Sequence, residues 1–177
     1  MPTPAWYAVA VRSNFEKIVA ESLRQKDYEI FLPSHLSKRS WSDRTKVIER
    51  ALFPGYLFCR MELQQRVPLL NTPGVASIIG MGKCPVPVPD SEIRAVQTIV
   101  ESGLPVSPWP YLKAGQSVYI NQGPLAGLEG IVIAAKNSSR LVVSVEMLRR
   151  SVTVEIENEW AEPSQPAHSV NRGRTAA

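Results

Sequence analysis

Side chains able to do covalent or metal chemistry are few in this chain, and they stand apart. The two cysteines are Cys59 and Cys84, and the two histidines are His35 and His168. None has a thiol or acidic neighbour at ligand spacing, so a zinc site of the usual kind lacks its ligands, and no metal or cofactor is expected. No Ser, Cys or Lys sits in a nucleophile motif, and scattered histidines offer little general-base chemistry. Asp43 and Glu49 form a nominal carboxylate pair, but basic neighbours surround them, which reads as charge balancing. The glycine-rich stretch Gly123–Gly130 matches neither a Walker loop nor a strand-to-helix dinucleotide turn, so its glycines read as turn positions between strands. The chain does not read as an enzyme.

Its chemistry is instead that of contact surfaces. The 177 residues carry 20 Lys+Arg against 16 Asp+Glu, a net charge of +4. Residues 1–104 hold 13 basic and 10 acidic side chains, and residues 112–162 hold 5 and 6. Positive charge concentrates in Lys38, Arg39, Arg44, Lys46 and Arg50, around Trp41. Cations for phosphate and a ring for base stacking are what single-stranded nucleic acid requires. Two plainer readings stand beside this one: the run is a solvated loop, or Trp41 caps an apolar side of a ribbon. No segment approaches a membrane span and the N-terminus shows no signal-peptide pattern, so a cytoplasmic protein with free thiols and no membrane partner is expected.

The elements that must position these residues follow from periodicity. Trp6–Val11 is an apolar, β-favouring run. Ser13 and Glu16 make a capping-box pattern, and Phe15, Ile18, Val19 and Leu23 continue it as one apolar helix face. Tyr28–Leu32 reads as a strand stopped by Pro33. The basic segment fits either a two-stranded ribbon or a loop. Pro54-Gly55 marks a turn before a strand over Tyr56–Met61, and Thr72-Pro73-Gly74 marks another. Asp90 is the expected N-cap of a helix burying Ile93, Val96, Ile99 and Val100, ended by Gly103. This is an α+β pattern, helices against a mostly antiparallel sheet.

The texture then changes. Pro105, Pro108 and Pro110 read as a stiff linker over residues 105–111. Short strands follow at Ser117–Ile120, Glu129–Ala134, Leu141–Val145 and Ser151–Ile156, the signature of a small β-barrel over residues 112–162. Residues 163–177 are polar and read as a disordered tail.

Three stretches together resemble the NusG family: Trp6-Tyr7 opening the first strand, Phe53-Pro54-Gly55-Tyr56-Leu57-Phe58, and Gly123 to Val132. The likeness spans roughly residues 4–162. Within the NusG/RfaH superfamily, Arg39–Arg44, Pro54–Phe58 and Arg140–Val145 resemble the specialised UpxY-type antiterminators. Leu148-Arg149-Arg150 stands where general NusG proteins carry Phe-Gly-Arg, which implies a paralogue. The resemblance implies an NGN domain (residues 1–104) followed by an SH3-like KOW barrel. It implies a monomeric elongation and antitermination factor that grips the clamp helices of RNA polymerase.

The matching polymerase-binding positions are Tyr7, Ala10, Phe53, Tyr56 and Phe58; core and interface roles both stay open for Phe53 and Phe58. Non-template DNA contact is implied at Arg12, Arg24 and Thr72, supplemented by Lys38, Arg39, Trp41, Arg44 and Lys46. The turn Met147, Leu148, Arg149 and Arg150 corresponds to the KOW surface that meets a small-subunit ribosomal protein or Rho, and is expected to be exposed; a plainer reading, in which Leu148 is tucked onto the barrel, stands beside it. The alternatives are a housekeeping NusG that assists Rho and, from another class, a ribosome-associated RNA-binding KOW protein. A charge of only +4 argues against the last.

Overall fold

The computed structural model describes residues 3–112, 115–134 and 138–164. Strand β1 (Ala5–Val11) leads to helix α1 (Glu16–Arg24), then β2 (Glu29–Phe31), the long pair β3 (Ser34–Trp41) and β4 (Arg44–Ala51), and β5 (Tyr56–Met61). Helix α2 (Arg66–Leu70), β6 (Val75–Ile78), the short pair β7 (Gly80–Met81) and β8 (Cys84–Pro85), and helix α3 (Asp90–Glu101) complete the first unit. Strands β1, β2, β5 and β6 form an antiparallel sheet in the order β2-β5-β1-β6.

Alternation along β1 divides the core. Tyr7, Val9 and Val11 face one side with Leu57, Cys59 and Met61, against Val19, Ala20 and Leu23 of α1. Trp6 and Ala8 face the other side with Phe58, against Ile93, Val96 and Ile99 of α3. Burying a side chain such as Leu57 or Phe58, both fully enclosed, contributes about 1.5–3 kcal/mol. Cys59 lies in this core, and burial pushes its thiol up to about 12.

Strands β9 (Val106–Pro110), β10 (Gln116–Ile120), β11 (Glu129–Ala134), β12 (Ser139–Val145), β13 (Arg150–Ile156) and β14 (Ala161–Pro163) form a second antiparallel sheet. Their order is β14-β10-β11-β12-β13-β9. Leu141, Val143 and Val145 of β12 pack with Val152 and Val154 of β13, as the alternation requires. The strands expected from the pattern appear as β10 to β13.

Several expectations change. The segment 105–111 is not a bare linker: Val106–Pro110 is an edge strand paired along β13. Pro108 and Pro110 stand two apart, so their missing donors fall on the same, unpartnered edge, where proline is tolerated. The two units also share one core. Buried residues run continuously from Trp6, Ala8 and Phe58 through α3 into Val118, Ile120 and Leu125 of the second unit. The Ser13 cap is not made. Helix α1 starts after Phe15 without a side-chain cap, and Glu16 Oε1 instead accepts the Gly55 amide at 2.8 Å. Gly55 has φ +84°, which tightens the turn that brings its N–H to α1. Pro163 closes β14; the rest of the expected tail beyond Ser164 lies outside the described residues.

Candidate nucleic-acid and protein interfaces

The ribbon is built by an unbroken antiparallel ladder in which His35 faces Arg50, Ser37 faces Ile48, Arg39 faces Lys46 and Trp41 faces Arg44. Residues directly opposite share a face of a two-stranded sheet, and so do alternate positions along each strand. Arg39, Arg44, Lys46 and Arg50 therefore project from one face, all four exposed. No carboxylate belongs to the rungs of that face. Lys38 pairs with Val47 and belongs to the opposite face, beside Leu36 and Glu49. Glu49 is held by Lys17 Nζ at 2.6 Å. Asp43 sits in the turn at the tip. The stacking role expected of the Trp41 side chain lies outside the described residues.

Three further positions expected to meet DNA are not gathered on this face. Arg12 is exposed before α1, its guanidinium 4.9 Å from the Phe15 ring centroid. Arg24 is at the other end of α1, 3.9 Å from Glu21. Thr72 is buried, and its hydroxyl donates to the Pro68 carbonyl at 3.1 Å and accepts from Lys26 Nζ at 2.8 Å. With both capacities spent inside the fold, Thr72 is a structural residue and not a surface contact.

The five positions expected to meet polymerase also divide. Tyr7 and Ala10 are three apart in a strand and so face opposite sides; Tyr7 is in the α1-side core. Phe53 and Phe58 are fully buried, their rings 5.6 Å apart at 87°, with Phe31 stacked on Phe58 at 6.0 Å. They are core residues here. Tyr56 and Ala10 are the half-buried members, opposite each other in the β1–β5 ladder. Arg150 of the second unit lays its guanidinium 5.6 Å from the Tyr56 ring centroid. The turn Met147–Arg150 likewise differs from expectation: Leu148 is buried against the sheet, and Met147 is half-buried, leaving Arg149 and Arg150 exposed. Arg149 is in the left-handed region at φ +50°.

Two features had no local signal. Glu92, in the first turn of α3, has a buried Oε2 with no hydrogen-bond partner among the described residues. Burial raises its carboxyl above the ordinary value, and Glu146 of the second unit faces it. Glu146 Oε1 in turn accepts the Tyr111 hydroxyl at 2.9 Å. Among the described residues no group of three or more His, Cys, Asp and Glu is placed to hold a metal ion, and no helix is long and apolar enough to cross a membrane.

Comparison with known proteins decides the class. Residues 4–97 match the family model described as "Transcription termination factor nusG". The chain belongs to the NusG family. Its likeness to the transcription termination/antitermination protein NusG of Pseudomonas aeruginosa is 30% identity over 166 residues, covering 86% of this chain and 94% of that protein. The Vibrio vulnificus NusG is 31% identical over 88% of this chain and 93% of its own, and the Escherichia coli K12 protein 30% over 88% and 94%. A solved structure reported as "Domain interaction in Thermotoga maritima NusG" aligns with a TM-score of 0.58 at 24% identity, over 92% of this chain and 98% of that one. That likeness shows a shared fold. A NusG-family chain is a transcription factor and not an enzyme, in keeping with the sparse catalytic chemistry of its sequence.

Proposed function

We propose that this NusG-family chain is an elongation and antitermination factor, an operon-specific paralogue that binds RNA polymerase at the clamp helices and holds the displaced non-template strand. The one-sided basic ribbon carries this reading. A ladder that sorts four cations onto one face, with no acid among its rungs, suits a polyanion lying along it. The polymerase contact falls to Tyr56 and Ala10. A tyrosine combines a large ring with a polar tip, the usual anchor of a protein interface. By gripping both sides of the cleft, the factor favours the closed clamp and disfavours pausing, through differential binding of the two states.

Arg150 of the second unit stands 5.6 Å from the Tyr56 ring, so polymerase binding at Tyr56 displaces that contact. Pull-down of the full chain with core RNA polymerase tests the assignment. Tyr56→Ala is expected to lose about 2 kcal/mol or more of affinity, while its circular dichroism stays that of the parent. Undiminished binding by the folded variant refutes it. The housekeeping reading, in which the protein assists Rho, is supported by relatives named for termination as well as antitermination. Run-through past a Rho-dependent site separates the two, since a paralogue of the proposed kind does not stimulate termination there.

A further inference from the structure

Strand β9 and the turn into β13 border an open cleft of about 440 Å³ whose lining combines rings and cations. Three rings, Tyr56, Trp109 and Tyr111, meet Pro108 and two cations, Arg149 and Arg150. Each ring carries a guanidinium: Arg150 at 5.6 Å from Tyr56, Arg149 at 5.5 Å from Tyr111, and Arg140 at 5.9 Å from Trp109. Arg140 is balanced by Glu155 at 3.3 Å. Arg149 and Arg150 have no salt-bridge partner among the described residues. No carboxylate lines the cleft, although Glu146 stands beside it, holding the Tyr111 hydroxyl.

We infer that this cleft binds single-stranded RNA, with bases stacked on Trp109 and Tyr111 and phosphates met by Arg149 and Arg150. An acidic peptide would satisfy the arginines and leave the rings idle. A proline-rich peptide would use the rings and leave two unpaired cations. Unstacked bases on a phosphate backbone use both, and a duplex hides the base faces that the rings would take. The choice of RNA over DNA rests on the reading above, which gives the displaced DNA strand to the ribbon and leaves the transcript as the other single strand; Trp109, Tyr111, Arg149 and Arg150 all belong to the second unit and stay together when Tyr56 is taken by polymerase.

The test uses the full chain and a fluorescein-labelled RNA octamer of mixed sequence, read by anisotropy without polymerase. The background is the Arg39→Ala/Arg44→Ala/Lys46→Ala variant, so that the ribbon contributes little. Trp109→Ala and Tyr111→Ala should each weaken binding about 5- to 150-fold with an unchanged salt slope. Arg149→Ala and Arg150→Ala should each flatten the log–log salt slope by about 0.7. Trp109→Phe, which keeps a ring on the edge strand, should retain binding and guards against a folding artefact. Absence of RNA binding in the ribbon-neutral background overturns the inference. So does wild-type affinity in folded Trp109→Ala and Tyr111→Ala, equal or tighter binding of a single-stranded DNA octamer of the same sequence or of an RNA duplex, or displacement by polyglutamate as readily as by RNA. Because Trp109 and Tyr111 lie outside the proposed polymerase contact, these failures leave the pull-down with Tyr56→Ala untouched.

Discussion

Neutralising one face of the ribbon should change the salt dependence of DNA binding in a way that the other face cannot imitate. Arg39, Arg44, Lys46 and Arg50 share a face, whereas Lys38 belongs to the opposite one. On single-stranded DNA each phosphate contact contributes a slope of about 0.7 in log affinity against log salt. Four contacts from the basic face give a slope of about 3, a loss of about 50-fold in affinity between 50 and 200 mM salt. Arg39→Ala/Arg44→Ala/Lys46→Ala leaves one cation, Arg50, and the loss over the same range should shrink to about 3-fold. All three side chains are exposed, so stability should move by no more than about 0.5 kcal/mol per site. Lys38→Ala removes the same kind of charge from the wrong face and should leave the slope nearly unchanged. The assay is a salt titration of binding to a non-template-strand oligonucleotide, repeated on an assembled elongation complex. An unaltered slope in the triple variant, or an equal effect from Lys38→Ala, refutes the face assignment.

Glu92→Gln should strengthen packing between the two units near neutral pH. The folded carboxyl titrates above its unfolded value because burial opposes its charge, so its contribution is complete below about pH 4 and is lost as pH rises through the higher folded value. Thermal melts from pH 4 to 8 should show wild type losing stability relative to the glutamine variant; a parallel pair of curves counts against this. Native protein should label one thiol with a small disulfide reagent, the exposed Cys84, and the second, Cys59, only on unfolding; two fast thiols would contradict the burial. Leu148→Ala should cost about 2–3 kcal/mol of stability, as expected of a side chain folded into the sheet, and a neutral result would restore the exposed-knob reading.

Local pattern carried much of this fold. Alternation at Leu141, Val143 and Val145 placed β12, and short β-favouring runs placed β10, β11 and β13. What it did not carry depends on partners distant in sequence. Tyr7 and Ala10 both look suited to an interface, but their odd spacing puts them on opposite faces, a distinction visible in the sequence once strand parity is applied. Thr72 gave no local sign of burial, since Lys26 and Pro68 consume its hydroxyl. The prolines at 105, 108 and 110 fit a linker by composition, and only pairing with β13 makes Val106–Pro110 a strand. Glu92 was invisible as a special carboxylate because its burial, and the Glu146 that faces it from the turn between β12 and β13, come from a segment distant in sequence.

The incorporation of Val106–Pro110 into the second sheet shortens the tether between the units to residues 102–105. Four residues fully extended reach only about 14 Å. A neighbour on so short a leash meets its surface at an effective concentration of the order of millimolar, whatever the concentration of the protein itself. Dilution therefore does not open the molecule. A competitor for the Tyr56 face must outbid a rival that is always present, so occupancy is set by the competitor's own affinity and abundance. Lengthening the tether with a glycine-serine insert, or peeling β9 from β13, would lower that threshold without altering a single contact residue.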